Sequence, residues 1–156
     1  MATEQGIGIL VQRRIEAAFA KGIFVELAAE LGEERATALL ARAINKLAEQ
    51  AGAAAAAETP NPGIEHFAEI LPRWTKDDAL QIEVLEKTAD RFDFNVKRCR
   101  YAESYREMGL GTLGAVLSCN RDAAFCVGYD PKLKLTRTQT IMGGASHCDF
   151  RYRREG

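Results

Sequence analysis

Histidine is scarce. With only His66 and His147 among 156 residues, no histidine-rich metal centre can be built. CxxC pairs are absent as well: the four cysteines, Cys99, Cys119, Cys126 and Cys148, have the spacing of neither a zinc ribbon nor a thioredoxin-type motif. A mixed site of cysteines with His147 or Asp122 is the one metal arrangement left open, and the expectation is no metal and no other cofactor. No apolar run reaches the roughly 18 to 20 residues of a membrane span, so no membrane partner is expected. Nor is there an excess of basic charge. Lysine plus arginine (21) against aspartate plus glutamate (22) gives a net charge of −1, which argues against nucleic acid as a partner. Gly109-Leu110-Gly111 and Gly143-Gly144 satisfy neither a phosphate loop nor a strand-borne GxGxxG, and HExxH and GxSxG do not occur. Met1 to Gln5 lack the basic n-region of a secretory signal, so a cytoplasmic chain with reduced thiols is expected.

What is present is apolar residues, at 47%, enough for one domain over 1–156 with its own core. Val11, Ile15, Phe19, Ile23, Leu27 and Leu31 recur every four residues, with Phe24 alongside, and draw one apolar stripe down a helix. After Gly32, a second helix is marked by Ala36, Leu39, Leu40, Ala43, Ile44 and Leu47, with Glu33 and Glu34 at the end the macrodipole favours. Residues 1–52 read as a helical hairpin whose stripes pack into the core, dimerisation being the less favoured use of the first stripe. Ala53 to Ala57 can extend the helix, but Pro60 and Pro62 end it, and 53–63 reads as a loop. A short helix with Ile64, Phe67, Ile70 and Leu71 follows and stops near Pro72, carrying His66 as a surface or partly packed residue.

Beyond it the period changes to two. Leu80, Ile82 and Val84, then Phe92, Phe94 and Val96, alternate with polar residues as two half-buried strands. Residues 101–127 read as helical, broken by Gly109, Gly111 and Gly114. A second hairpin is expected after Pro131. One strand carries Leu133, Leu135, Arg137, Gln139 and Ile141 on one face, Gly143-Gly144 makes the tight turn, and His147 to Tyr152 return. The 64–156 part is therefore mixed, and the class is α+β: a helical hairpin and further helices packed on an antiparallel sheet of about four strands.

Strand parity puts Cys148, Phe150 and Tyr152 on one face and His147, Asp149 and Arg151 on the other. Cys119 and Asp122 are three apart in a helical segment and share a side. A carboxylate and two thiols facing one interior form a candidate catalytic set. The plainer alternative is that Cys119 and Cys148 are small buried hydrophobes, as Cys126 is expected to be. Cys99, at a strand end, is open to either reading.

The segments Cys99-Arg100-Tyr101-Ala102, Tyr105 to Leu110, Leu117 to Asp122, Thr136 to Gly144 and Cys148 to Tyr152 come in an order that resembles the L-2-amino-thiazoline-4-carboxylic acid hydrolase family. The resemblance is best from about residue 90 to 152. It implies a hydrolase that opens a small cyclic amidine. Cys148, Cys119 and Asp122 would then be catalytic, and Arg137, His147 and Tyr105 would bind the substrate. A thiolate could add to the ring carbon between nitrogen and sulfur, or Asp122 could activate water. Arg137 could hold a substrate carboxylate through its planar fork. His147 could serve Cys148 as a nearby cation only if the strand is bulged, because parity points it away. Between the turn glycines and Cys148 the family pattern is commonly acidic, where this chain has Ala145-Ser146-His147. The order of elements also resembles 4-vinyl reductase-like ligand-binding domains, and a non-catalytic binding module is the second reading. A small-molecule substrate is the expected partner, and homo-oligomerisation is left open.

Overall fold

The computed structural model describes residues 6–156. Helices α1 (Ile9–Leu31) and α2 (Glu33–Ala56) are joined at Gly32, whose φ of 87° is a conformation that glycine takes without penalty. The alanines from Ala53 to Ala56 extend α2 into the stretch expected as loop, as their helix propensity favours. Helices α3 (Ile64–Ile70) and α4 (Pro72–Thr75) follow, with Pro72 starting a new turn rather than ending the path. Strands β1 (Leu80–Lys87) and β2 (Arg91–Cys99) form the first hairpin, and α5 (Arg100–Glu107) starts directly from the end of β2. A π-helical turn (Ala115–Cys119) leads into α6 (Arg121–Tyr129), and β3 (Leu133–Thr136) and β4 (Cys148–Arg154) complete one antiparallel sheet in the order β1-β2-β4-β3. The α+β class stands as expected. No helix among the described residues is long and apolar enough to cross a membrane.

Two further expectations need correction. The first concerns the stripe on α1, whose first four members face outward: Phe19 is 74% exposed and Ile15 58%, with Val11 and Ile23 close to half exposed, while Leu27 and Leu31 are partly buried. The buried face lies on the opposite side, where Leu10, Ala17, Ala20 and Phe24 pack towards α2 and α5. α1 is apolar nearly all round, so a four-residue repeat could not choose between its faces; the small Ala17 and Ala20 let neighbours approach. On α2 the buried row is Ala36, Ile44, Ala48, Gly52 and Ala55, while Leu47 is exposed.

The second correction concerns the last hairpin. β3 pairs with β4 only through Leu133↔Arg154 to Thr136↔Arg151. That register is the one a two-residue turn at Gly143-Gly144 would set, yet the ladder stops at Thr136. The Asp149 carboxylate accepts from the backbone N–H groups of Thr138 (2.9 Å) and Gln139 (3.0 Å) and from the Thr138 hydroxyl. The Cys148 sulfur accepts from the Ile141 N–H at 3.1 Å. Side chains of β4 thus take donors that a continuing strand would give to backbone carbonyls. Residues 137–147 form a looped connection, and Gly143-Gly144 a turn within it.

The inner face of the sheet presents Phe92, Phe94 and Val96 opposite Tyr152, Phe150 and Cys148. Phe94 and Phe150 stack at 4.9 Å between ring centroids. This face packs with Phe67, Phe125 and Tyr129 in one core, while Ala17, Ile44, Tyr101, Tyr105 and Leu117 form a second; Leu80 and Cys99 touch both. α2 and α6 cross backbone to backbone. A Cβ on Gly52 would lie 2.1 Å from the Phe125 carbonyl oxygen, and one on Gly128 would lie 1.8 Å from that of Glu49. Backbone cannot yield there as a flexible side chain can. Gly52→Ala and Gly128→Ala are each expected to lower the unfolding free energy by about 1–3 kcal/mol through overpacking, despite a helix-propensity gain of about 1 kcal/mol. Urea unfolding midpoints check this; a neutral or stabilising result at either position contradicts the close crossing.

Candidate active site

A cavity of about 120 Å³ lies where the two cores meet, between the inner face of the sheet, the π turn with α6, and the α3–α4 segment. A single water needs about 10–15 Å³ of such space, so the cavity is several waters in size. Most of the wall is apolar, with Phe67, Trp74, Phe94, Phe125 and Phe150 among its residues. Into it come a few polar groups: Asp122, Arg137, Arg13, Arg121, and the thiols of Cys99, Cys119 and Cys148. A small number of placed polar groups on an apolar wall is the usual make-up of a small-molecule site.

Arg137 follows β3 directly and is held by three contacts. Its guanidinium donates to the Asp122 carboxylate at 2.7 Å and to the Cys119 carbonyl at 3.0 Å, and it sits 4.9 Å from the centre of the Phe150 ring. The π turn ends at Cys119, so its last carbonyls are free to meet such a donor. The Asp122 side chain keeps 34% of its surface bare, and the cavity is where that surface lies. Burial pushes the Asp122 carboxyl above the usual carboxylate range, and the attraction of Arg137 limits the rise. Arg137 also loses hydration, yet Asp122 holds its guanidinium above its ordinary range.

Arg13 of α1 and Arg121 of α6 share the Glu16 carboxylate, at 2.9 and 3.4 Å. Their side chains are only 16% and 12% exposed. Three guanidinium groups (Arg13, Arg121, Arg137) therefore meet two carboxylates (Asp122, Glu16), which leaves one positive charge in excess beside the cavity. An anion entering this space would balance it.

The thiols differ in their surroundings. Burial pushes Cys99 up to about 11 and Cys119 up to about 12, the nearby Asp122 carboxylate adding to the rise at Cys119. Cys148 is also raised by burial, but two influences oppose it: the Ile141 N–H aimed at its sulfur, and the charge of Arg137. Cys99 has an N–H donor from Ala102 at 3.4 Å, which caps α5, but no guanidinium beside it; Cys119 has Arg137 but no N–H donor. Of the three, Cys148 alone has both aids to a thiolate. Cys126, raised to about 12 by burial, packs in the first core off the cavity wall.

Of the residues singled out from the sequence, Cys148, Cys119, Asp122 and Arg137 come together on one wall. Tyr105 does not: it is buried in the second core, behind the lining residues. His147 lies outside the wall on the other parity of β4, where it meets Ser146 Oγ at 2.9 Å and the Gln139 side chain. Sequence reading missed Arg13, Arg121 and the part of Cys99. A signal for Arg13 exists, since it lies four residues before Ala17 on the buried side of α1, where an arginine is out of place without a partner. Arg121 and Glu16 are 105 residues apart, and no local pattern joins them. Among the described residues, no three histidine, cysteine, aspartate or glutamate side chains converge as metal ligands.

In overall shape the chain is similar to two solved structures. One is the phenol-responsive sensory domain of the transcription activator PoxR with phenol, at a TM-score of 0.55 and 15% identity, covering 91% of this chain and 74% of that one. The other is a trafficking protein particle complex subunit 3 from Naegleria fowleri covalently bound to palmitic acid, at a TM-score of 0.56 and 8% identity, covering 94% and 96%. At such identities the likeness is one of fold. No curated protein matches the chain in sequence. The family described as L-2-amino-thiazoline-4-carboxylic acid hydrolase matches residues 12–152, nearly the whole chain and every residue of the cavity wall. By that match, the chain belongs to the L-2-amino-thiazoline-4-carboxylic acid hydrolase family.

Proposed function

We propose that the chain hydrolyses a ring C–N bond of a small cyclic amidine that carries a carboxylate, a 2-amino-thiazoline-carboxylate-like molecule. The observation that carries this reading is the Asp122–Arg137 pair set beside the Cys148 thiol on the wall of an otherwise apolar cavity. Size agrees: a cavity several waters in size is on the scale of a small ring compound. The excess positive charge near Arg13 and Arg121 suits the carboxylate, whereas Arg137 is already engaged by Asp122.

Two routes use these groups. In one, Asp122 takes a proton from water while the water oxygen bonds to the amidine carbon, and the C=N π pair moves to the ring nitrogen, which receives that proton from Asp122. The ring C–N bond then breaks with its electron pair going to nitrogen, as the added hydroxyl becomes a carbonyl and its proton passes through Asp122 to the same nitrogen. In the other, the Cys148 sulfur bonds to that carbon as the C=N π pair moves to the ring nitrogen, and the thiol proton passes through Asp122 to that nitrogen. The ring C–N bond breaks with its pair going to the protonated nitrogen while the exocyclic nitrogen forms a C=N bond to the carbon; water then adds there, and the C–S bond to Cys148 breaks with a proton returning to the sulfur. A second reading is a non-catalytic binding module. It is favoured by the apolar wall, the protonated thiols, and the small molecules held by the two structures of similar fold. Purified protein incubated with cyclic amidines separates the readings: turnover supports the hydrolase, and a thermal shift without turnover supports the binding module.

Within the hydrolase reading, Asp122→Asn is expected to lower kcat by about 10²–10⁴-fold, the range of general acid–base catalysis, with the fold retained by circular dichroism. Cys148→Ser is expected to do the same only on the covalent route, and otherwise to cost about 1–3 kcal/mol of stability with turnover preserved.

The pH profile gives an independent check. On the covalent route, ionising the Cys148 thiol, raised by burial, removes the need for that proton transfer and makes turnover climb as pH rises beyond the ordinary thiol value of about 8.5. With Asp122 as base, the carboxyl must be ionised. Activity is then full at neutral pH and lost as pH falls through a midpoint above the ordinary carboxylate value of about 4. A profile flat from acid to alkaline pH contradicts both routes.

A further inference from the structure

The outward face of α1 has no use in the site described above. Val11, Ile15, Phe19, Ile23 and Val25 of α1, with Ile7 just ahead of the helix, each leave between 46% and 74% of their surface in solvent. Together they expose roughly 600 Å² of apolar area, at the upper end of the largest patch usual on a monomer. An apolar helix face of this extent is normally covered.

We propose that this face is the interface of a two-fold homodimer in which α1 packs antiparallel on α1 of a second copy. Three observations select a second copy as the occupant. The first is area: a patch of roughly 600 Å² doubled by symmetry offers up to roughly 1,200 Å², against a floor of about 1,000 Å² for a specific interface. The second is shape. Val11, Ile15, Phe19 and Ile23 form a ridge of four-residue spacing, and a two-fold axis presents the same ridge on both helices, so they interdigitate in the common class crossing near −50°. Ala18 and Gly22 lie on the same face, and Gly22 has open space at its missing Cβ, so the axes can come close. The third is charge. The amino-terminal half of α1 carries Arg13 and Arg14 against Glu16, a net +1, and the carboxy-terminal half carries Glu26 and Glu30 against Lys21, a net −1; Arg14 also lies 4.0 Å from Glu107 of its own chain. Antiparallel pairing brings the basic half of each copy to the acidic half of the other. The same balance disfavours an anionic lipid surface, which selects lysine- and arginine-rich helices.

Phe19, the most exposed of the six and near the centre of the ridge, is the anchor. Sedimentation velocity over a concentration series tests the interface on the full chain. Wild type is expected as a concentration-dependent dimer. Phe19→Glu is expected to raise the dimer Kd at least ~100-fold with an unchanged circular dichroism spectrum, because an exposed side chain is being replaced. Arg14→Glu is expected to weaken the dimer, and Arg14→Glu with Glu26→Arg to restore it. A wild-type chain that stays monomeric throughout overturns the proposal. So does a dimer that persists in Phe19→Glu, or a monomer that binds neutral phosphatidylcholine vesicles through this face.

Discussion

The crossing of α2 and α6 is the constraint on which the rest of the molecule depends. Gly52 and Gly128 each sit against a carbonyl of the other helix, at distances no side chain would permit. Their reciprocal placement fixes α6 both along and across α2. α6 is also the element whose first turn carries Arg121 and Asp122, and whose buried Phe125 and Tyr129 meet Phe67 and the sheet. Two missing side chains therefore set the position of the carboxylate that faces the cavity. The π turn ahead of α6 contributes in its own way, leaving the Cys119 carbonyl to receive Arg137.

Around that frame, charge is placed where it costs most. Arg13, Arg121, Arg137 and Asp122 are held in or beside an apolar space, and replacing such groups with well-packed hydrophobes would commonly leave a protein as stable or more so. Their retention is better understood from the site than from stability. The outer face of the sheet shows the contrast. There Asp93 pairs with Arg153, and Arg151 donates to Asn95, in contacts that lie off the cavity wall. Those pairs serve the sheet; the inner ones face a ligand-sized volume.

Cys148 shows how one residue can answer two demands. As part of the inner face of β4 it packs opposite Val96, and as the acceptor for the Ile141 N–H it ends the β3–β4 ladder early. Asp149, its neighbour, completes that ending by taking two further backbone donors. The looped connection that results lets Arg137 leave the sheet and reach Asp122. The departure from a regular hairpin and the assembly of the polar pair are thus one structural event.

Much of this was readable from residue patterns. The α+β class, the first β-hairpin and the inward parity of Cys148, Phe150 and Tyr152 follow from periods of two and 3.6, which depend only on local geometry. Cys119 and Asp122 do share the cavity wall, but from a π turn and from α6 rather than from one helix. Three things did not follow. Which face of α1 is buried was hidden because the helix is apolar on both sides, and only the packing of Ala17 and Phe24 against other elements chose. The hairpin at Gly143-Gly144 was hidden because Asp149 competes for its backbone donors, a contest that sequence spacing does not rank. The joining of Arg13 with Arg121, and of Arg137 with Asp122, was hidden because these partners come from separate elements. Sequence by itself determined which residues could lie on one side of each helix or strand. Tertiary structure alone decided which of those sides meet, because burial and charge pairing are settled between elements and not within them.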